Sequence, residues 1–147
     1  MKCVIQRVKH ASVSVEGNIT GEIKKGILVL AGICDEDTDA DIKWMADKII
    51  GLRIFCDEND KMNLSLEDVN GGLLVISQFT LFGNCKKGRR PNFTAAGKPD
   101  FAKIMYEKFA DYCRLHTQNV QTGVFGADMQ VNLLNDGPVT LILDSKE

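Results

Sequence analysis

Seven short runs rich in β-branched, aliphatic and aromatic residues, KCVIQRV, SVSVEG, ILVLAGI, LLVISQFTLF, NVQTGVF, MQVNLL and VTLILD, are punctuated by Gly, Asn and Asp. Residues of this kind fit a pleated, half-buried surface, so at least six strands are expected. Only two stretches carry helical spacing. The first puts Ile42, Met45, Ala46, Ile49 and Ile50 on one face, with Thr38 and Asp41 spaced as a capping box. The second opens at Pro99, a favoured first helical position, repeats Phe101, Ile104, Met105, Phe109 and Tyr112, and ends near His116. This order lacks regular strand–helix–strand units. It predicts an α+β chain with a mainly antiparallel or barrel-like sheet and two packed helices.

The 147 residues suffice for one domain, 1–147, with one core, and are short for two. The opening MKCVIQRVKHASVSVEG mixes charges into its apolar residues, and no apolar run approaches the length of a membrane span. A soluble cytoplasmic protein with no membrane partner is expected. Cys3, Cys34, Cys56, Cys85 and Cys113 are odd in number and contain no C-x-x-C pair, so neither a disulfide framework nor a zinc site is indicated. The net charge of −2 provides no global attraction for nucleic acid, yet Lys86, Lys87, Arg89 and Arg90 fall within five residues.

Three segments stand out. GGLLVISQFTLFG begins as a buried strand and then places Ser77, Gln78 and Thr80 where further aliphatics would extend it. An extended chain would set Gln78 and Thr80 on one face and Ser77 and Phe79 on the other, so some of these residues would have to act through backbone. The hydroxyls can equally be strand-end groups bonded to neighbouring backbone. In LLNDGPVTLILD, Asp136-Gly137-Pro138 joins two strand-like runs, either as a hairpin turn or as a rigid stretch of exposed backbone. The basic loop NCKKGRRPNFTAAG follows the SQFTLFG segment directly and is either solvated surface or a phosphate-binding element. The only two histidines, His10 and His116, form no evident triad. Hydrolysis could still be promoted by preorganised backbone N–H donors at a developing oxyanion, without a protein nucleophile or a strong general base.

SQFTL at 77–81, the KKGRRP loop, TGVFGADMQV at 122–131 and NDGPVT at 135–140 together resemble the D-aminoacyl-tRNA deacylases, over essentially the whole chain. The resemblance implies that family's fold and a homodimer in which a cis Gly137-Pro138 of one subunit reaches the site around Ser77–Leu81 of the other. It implies hydrolysis of the ester joining a D-amino acid to the acceptor end of tRNA, with L-amino acids rejected, and activity on glycyl-tRNA mischarged on tRNA-Ala. Arg7 would hold the Gly-Pro segment, while Leu81, Phe125 and Met129 would line the pocket. Ser77, Gln78, Phe79 and Thr80 would form the catalytic segment. Within it, backbone donors near Ser77 and Phe79 would act with the terminal ribose 2′-hydroxyl, rather than Thr80 as nucleophile. Gln78 would position the site or the terminal adenosine, and Lys86, Lys87, Arg89 and Arg90 would meet tRNA phosphates. No cofactor, metal or DNA partner is expected. A non-catalytic RNA-binding module and a purely structural dimer are the competing readings of the same residues.

Overall fold

The computed structural model describes residues Met1–Glu147. Its elements are β1 (Lys2–Val15), β2 (Asn18–Ile23), β3 (Gly26–Gly32), α1 (Asp39–Gly51), β4 (Phe55–Cys56), β5 (Met62–Leu64), β6 (Gly72–Ser77), a 3-10 turn (Phe79–Phe82), α2 (Pro99–His116), β7 (Val120–Thr122) and β8 (Gln130–Asp144). The main sheet runs β2-β1-β3-β6-β7, with β8 paired to the other edge of β1. The β1 pairings are antiparallel, whereas β3–β6 and β6–β7 are parallel. The expected class holds, with a parallel segment at the β6 side.

One long strand organises the sheet. KCVIQRV and SVSVEG, which read as separate runs, lie in the continuous β1, whose first half pairs with β3 and whose second half pairs with β2. Cys3 and Ile5 join the larger core, whereas Val8, Ala11 and Val13 join a smaller one on the opposite face. Val8 faces away from Ile5 by ordinary strand alternation, and the register shift between Val8 and His10 keeps Ala11 and Val13 on the side of Val8. β3 and β6 are buried on both faces, so their sequences are continuously apolar: Ile27, Val29, Leu73 and Val75 meet the helices, while Leu28, Leu74 and Ile76 fill the inside of the curled sheet. The curl brings β2 against β7. A Cβ at Gly21 would stand 2.6 Å from the Thr122 carbonyl oxygen, a space only glycine leaves open.

The helices lie side by side over the larger core. α2 has the expected limits but a rotated face. Ala102, Met105, Tyr106, Phe109, Ala110 and Cys113 are buried, whereas Ile104 is 55% exposed and Phe101 and Tyr112 are half-buried. Cys3, Cys34 and Cys113 are buried free thiols, and burial pushes the Cys113 thiol up to about 12. At α1, the Asp41 carboxylate accepts bonds from the Thr38 N–H at 2.8 Å, the Thr38 hydroxyl at 2.9 Å and the Lys146 ammonium at 2.9 Å. Burial raises its pKa, but these donors, together with Ser145, outweigh burial and hold the carboxyl well below the usual carboxylate range. The Met1 ammonium pairs with buried Asp37 nearby, so both chain ends dock at the start of α1. No helix is long and apolar enough to cross a membrane.

A carboxylate whose folded pKa is depressed contributes stability above its unfolded pKa and loses it as pH falls through the folded value. Asp41→Asn should therefore lower unfolding stability by about 1–2 kcal/mol at neutral pH. The gap from the parent should close as pH falls below about 3.9. Urea midpoints of the two proteins at pH 7 and at successively lower pH measure both effects.

Candidate active site

β6 leaves the sheet at the motif itself. The Gln78 N–H still donates to the Ala31 carbonyl at 2.7 Å, continuing the pairing with β3, but the chain then turns at φ −146°, ψ 82° into the 3-10 turn. The strand parity expected for SQFTL thus ends at Gln78. The N–H groups that begin a helical turn have no acceptor within it, so those of Phe79 and Thr80 are donors at the motif's centre. The Leu81 N–H makes only a long bond of 3.4 Å to the Gln78 carbonyl, and the Gly83 N–H closes the turn on Thr80 at 2.9 Å. The Thr80 hydroxyl accepts from the Gln78 side-chain amide at 2.6 Å, tying the two side chains together.

The end of β6 opens into a cavity of about 670 Å³, large enough for a nucleoside or a drug-sized ligand. Ser77, Gln78 and Phe79 form one wall. Phe125 and Met129, from the loop between β7 and β8, line it together with Ala127 and Val131. Residues 96–99 with Ala102 and Tyr106 supply the wall at the start of α2. The structure thus brings the SQF residues together with Phe125 and Met129. Thr80 and Leu81 are not in this lining, and Leu81 borders a separate depression with Lys2, Phe82 and Lys86.

The cavity has no evident proton acceptor tuned for neutral pH. His10 is exposed on β1, and His116 stacks on Tyr112 at 4.6 Å and borders a different hollow. Tyr106 donates its hydroxyl to the Val75 carbonyl at 2.7 Å, and burial pushes its pKa up to about 12. Asp128, the carboxylate in the lining, lies exposed beside Gln130. No group of three His, Cys, Asp or Glu side chains converges as metal ligands would. The polar residues lining the cavity are Ser77, Gln78, Thr94, Lys98, Tyr106 and Asp128, alongside backbone donors of the turn.

Gly137-Pro138 is not a hairpin turn. β8 continues through it, and the Gly137-Pro138 peptide is cis. Between the pairs Gln6–Thr140 and Val8–Asn135, β1 advances two residues while β8 advances five, so the Gly-Pro segment stands out as a wide bulge. The Val139 N–H donates to Asn135 Oδ1 at 2.9 Å. Arg7, nearly buried, donates from Nε to the Asp136 carbonyl at 2.9 Å and from Nη1 to the Ile54 carbonyl at 2.6 Å. Gly137 has φ +144°, and a Cβ on it would lie 2.8 Å from the Val139 nitrogen and 3.2 Å from Arg7 Nη2. Gly137, Pro138 and Arg7 do not line the cavity of their own chain.

Lys86, Lys87, Arg89 and Arg90 are exposed in a loop closed by Asn84 and Asn92, whose backbones exchange bonds of 2.7 and 2.9 Å. None of the four joins any of the chain's ion pairs. Two neighbours of the site carry no signal in the sequence that singles them out. Tyr106 lies on the buried face of α2, which the exposed Ile104 obscures in the sequence pattern, and Phe93, part of the basic segment, packs its ring on Phe79.

A family model described as D-Tyr-tRNA(Tyr) deacylase matches residues 4–144. A D-aminoacyl-tRNA deacylase of Thermosipho africanus is 58% identical over 147 residues, covering 100% of this chain and 99% of that protein. One from Fusobacterium nucleatum is 58% identical over 147 residues, covering 100% and 97%. A solved structure of a c-Myc DNA unwinding element binding protein superposes with TM-score 0.93 at 41% identity, covering 98% of both chains. Another, described as a probable eukaryotic D-amino acid tRNA deacylase, gives TM-score 0.83 over 97% of both chains, and at 18% identity bears on the fold alone.

Proposed function

The chain belongs to the D-Tyr-tRNA(Tyr) deacylase family, and from that premise we propose that it hydrolyses the ester of D-aminoacyl-tRNA in sites completed by a second copy of itself. The observation that carries the reading is the separation of the two motifs. The Ser77–Phe79 wall lines a cavity, while Gly137-Pro138 is exposed elsewhere on the same chain, held by the buried Arg7.

β8 pairs only with β1, leaving its other edge without a strand, and Leu134, Leu141 and Ile142 stand exposed along it. A free edge bearing apolar side chains is suited to a two-fold partner. In such a dimer each Gly-Pro bulge enters the partner's cavity and its backbone takes the space an L side chain would need. A D-amino acid or glycine fits, so glycyl-tRNA mischarged on tRNA-Ala is a second substrate. Discrimination comes from exclusion, which tolerates many D side chains.

The chemistry follows from the donors available. The carbonyl of the scissile ester sits at the start of the 3-10 turn, where backbone N–H groups stabilise the tetrahedral oxyanion. Water attacks that carbonyl, the bond to the ribose oxygen breaks, and the proton is passed to the departing hydroxyl with help from the neighbouring 2′-hydroxyl of the tRNA. The Thr80 hydroxyl, engaged by Gln78 and without a nearby base, is not the nucleophile. The exposed cations of residues 86–90 meet acceptor-stem phosphates, and a tRNA substrate places the enzyme in the cytoplasm.

Release of amino acid from D- and L-tyrosyl-tRNA should be rapid for the D ester alone. Gly137→Ala with Pro138→Ala should lose activity or discrimination. No release from either ester by an intact dimer would instead favour a tRNA-binding module without turnover. Thr80→Ala should keep most of the parent rate, and complete loss in a folded protein would restore Thr80 as nucleophile. Replacing Lys86, Lys87, Arg89 and Arg90 by Ala should weaken tRNA binding and flatten its salt dependence by about one unit of logarithmic slope for each phosphate left without its cation. An unchanged slope would remove the loop from the interface.

A further inference from the structure

Phe79 begins the 3-10 turn with its side chain 56% exposed, an unusual position for a large apolar ring that nevertheless stays ordered against another. Its aromatic neighbour is Phe93, with ring centroids 5.2 Å apart and planes at 75°, an edge-to-face pair. Phe93 follows directly after Asn92, where the basic loop is closed by the two backbone bonds to Asn84. Its ring also covers the far end of the turn. A Cβ at Gly83 would come within 2.9 Å of Phe93 Cε1, so the ring lies against bare backbone there. One side chain from the base of the cationic loop thus touches both the first residue of the turn and the glycine that ends it. Both rings also line the cavity.

Resting on the deacylase reading above, we propose that Phe93 is a positioning residue for the reaction, setting the direction of the backbone donor at Phe79 through its packing on the turn. A two-bond ladder and one ring join the loop that meets phosphate to the turn that meets the ester. A bound acceptor end therefore presses that donor into place. Oxyanion stabilisation depends steeply on donor direction, so loosening this support costs turnover more than binding.

The test is steady-state deacylation of D-tyrosyl-tRNA by the parent dimer, Phe93→Ala, Phe93→Tyr and Gly83→Ala, with tRNA affinity and melting temperature measured for each. Phe93→Ala should lower kcat about tenfold or more with KM and tRNA affinity within about twofold. Phe93→Tyr, which keeps the ring edge, should restore kcat to within about twofold of the parent. Gly83→Ala, whose Cβ would meet both Phe93 Cε1 at 2.9 Å and the Thr80 carbonyl oxygen at 3.0 Å, should also lower kcat. An unchanged kcat in Phe93→Ala overturns the proposal, as does a loss that appears in tRNA affinity instead of kcat. Should Phe93→Ala not fold, Phe93→Leu, which keeps bulk but removes the aromatic edge, decides by the same criterion. A parent protein that fails to release amino acid would count against the deacylase reading itself, an outcome distinct from any difference among the variants.

Discussion

A guanidinium is costly to bury unless its donors are met, and Arg7 meets them with carbonyls from two other parts of the chain, Ile54 before β4 and Asp136 in β8. Those bonds hold β8 against β1 at the place where β8 carries three residues more than its partner strand can match. The bulge also has local support, since Asn135 accepts from the Val139 N–H at 2.9 Å and donates to the Thr140 hydroxyl at 3.0 Å. With these bonds, β8 continues along β1 and the Gly-Pro segment projects from an otherwise regular strand. Close by, the register shift between Val8 and His10 keeps Ala11 and Val13 on the same core face as Val8.

This reliance on distant contacts explains which features are legible in the sequence. The limits of both helices follow from local signals, Thr38 with Asp41 at one and Pro99 at the other, and both are present in the structure. The buried face of α2 is harder to read because Ala102, Ala110 and Cys113 are small, whereas the exposed Ile104 is large. The bulge at Gly137-Pro138 is ambiguous in sequence because one of its anchors, Arg7, lies about 130 residues away in the chain. β2 is hidden as a strand because its NITGEI sequence is polar and contains Gly21, which is there for the approach of β7. SQFTL is legible as unusual but not as bent. Extended parity fails at Gln78 because the chain leaves the sheet, and in leaving it frees donors that a continued strand would have used.

Those freed donors bear on how a site without a histidine or a buried carboxylate can work. An ester of tRNA needs less activation than an amide, and its own 2′-hydroxyl lies beside the leaving oxygen, so the protein's share is orientation and stabilisation of charge. A site of the proposed kind would be more sensitive to backbone direction than to side-chain loss, the reverse of a triad. Under the proposed function, the L-aminoacyl esters to be spared carry chemically the same bond as the D esters to be cut. A strong nucleophile would have to be kept from those esters by binding alone. In the proposed dimer, donors that act only when the carbonyl sits at one place would make exclusion by the Gly-Pro backbone sufficient, because an ester displaced by even a small distance would meet no comparable stabilisation.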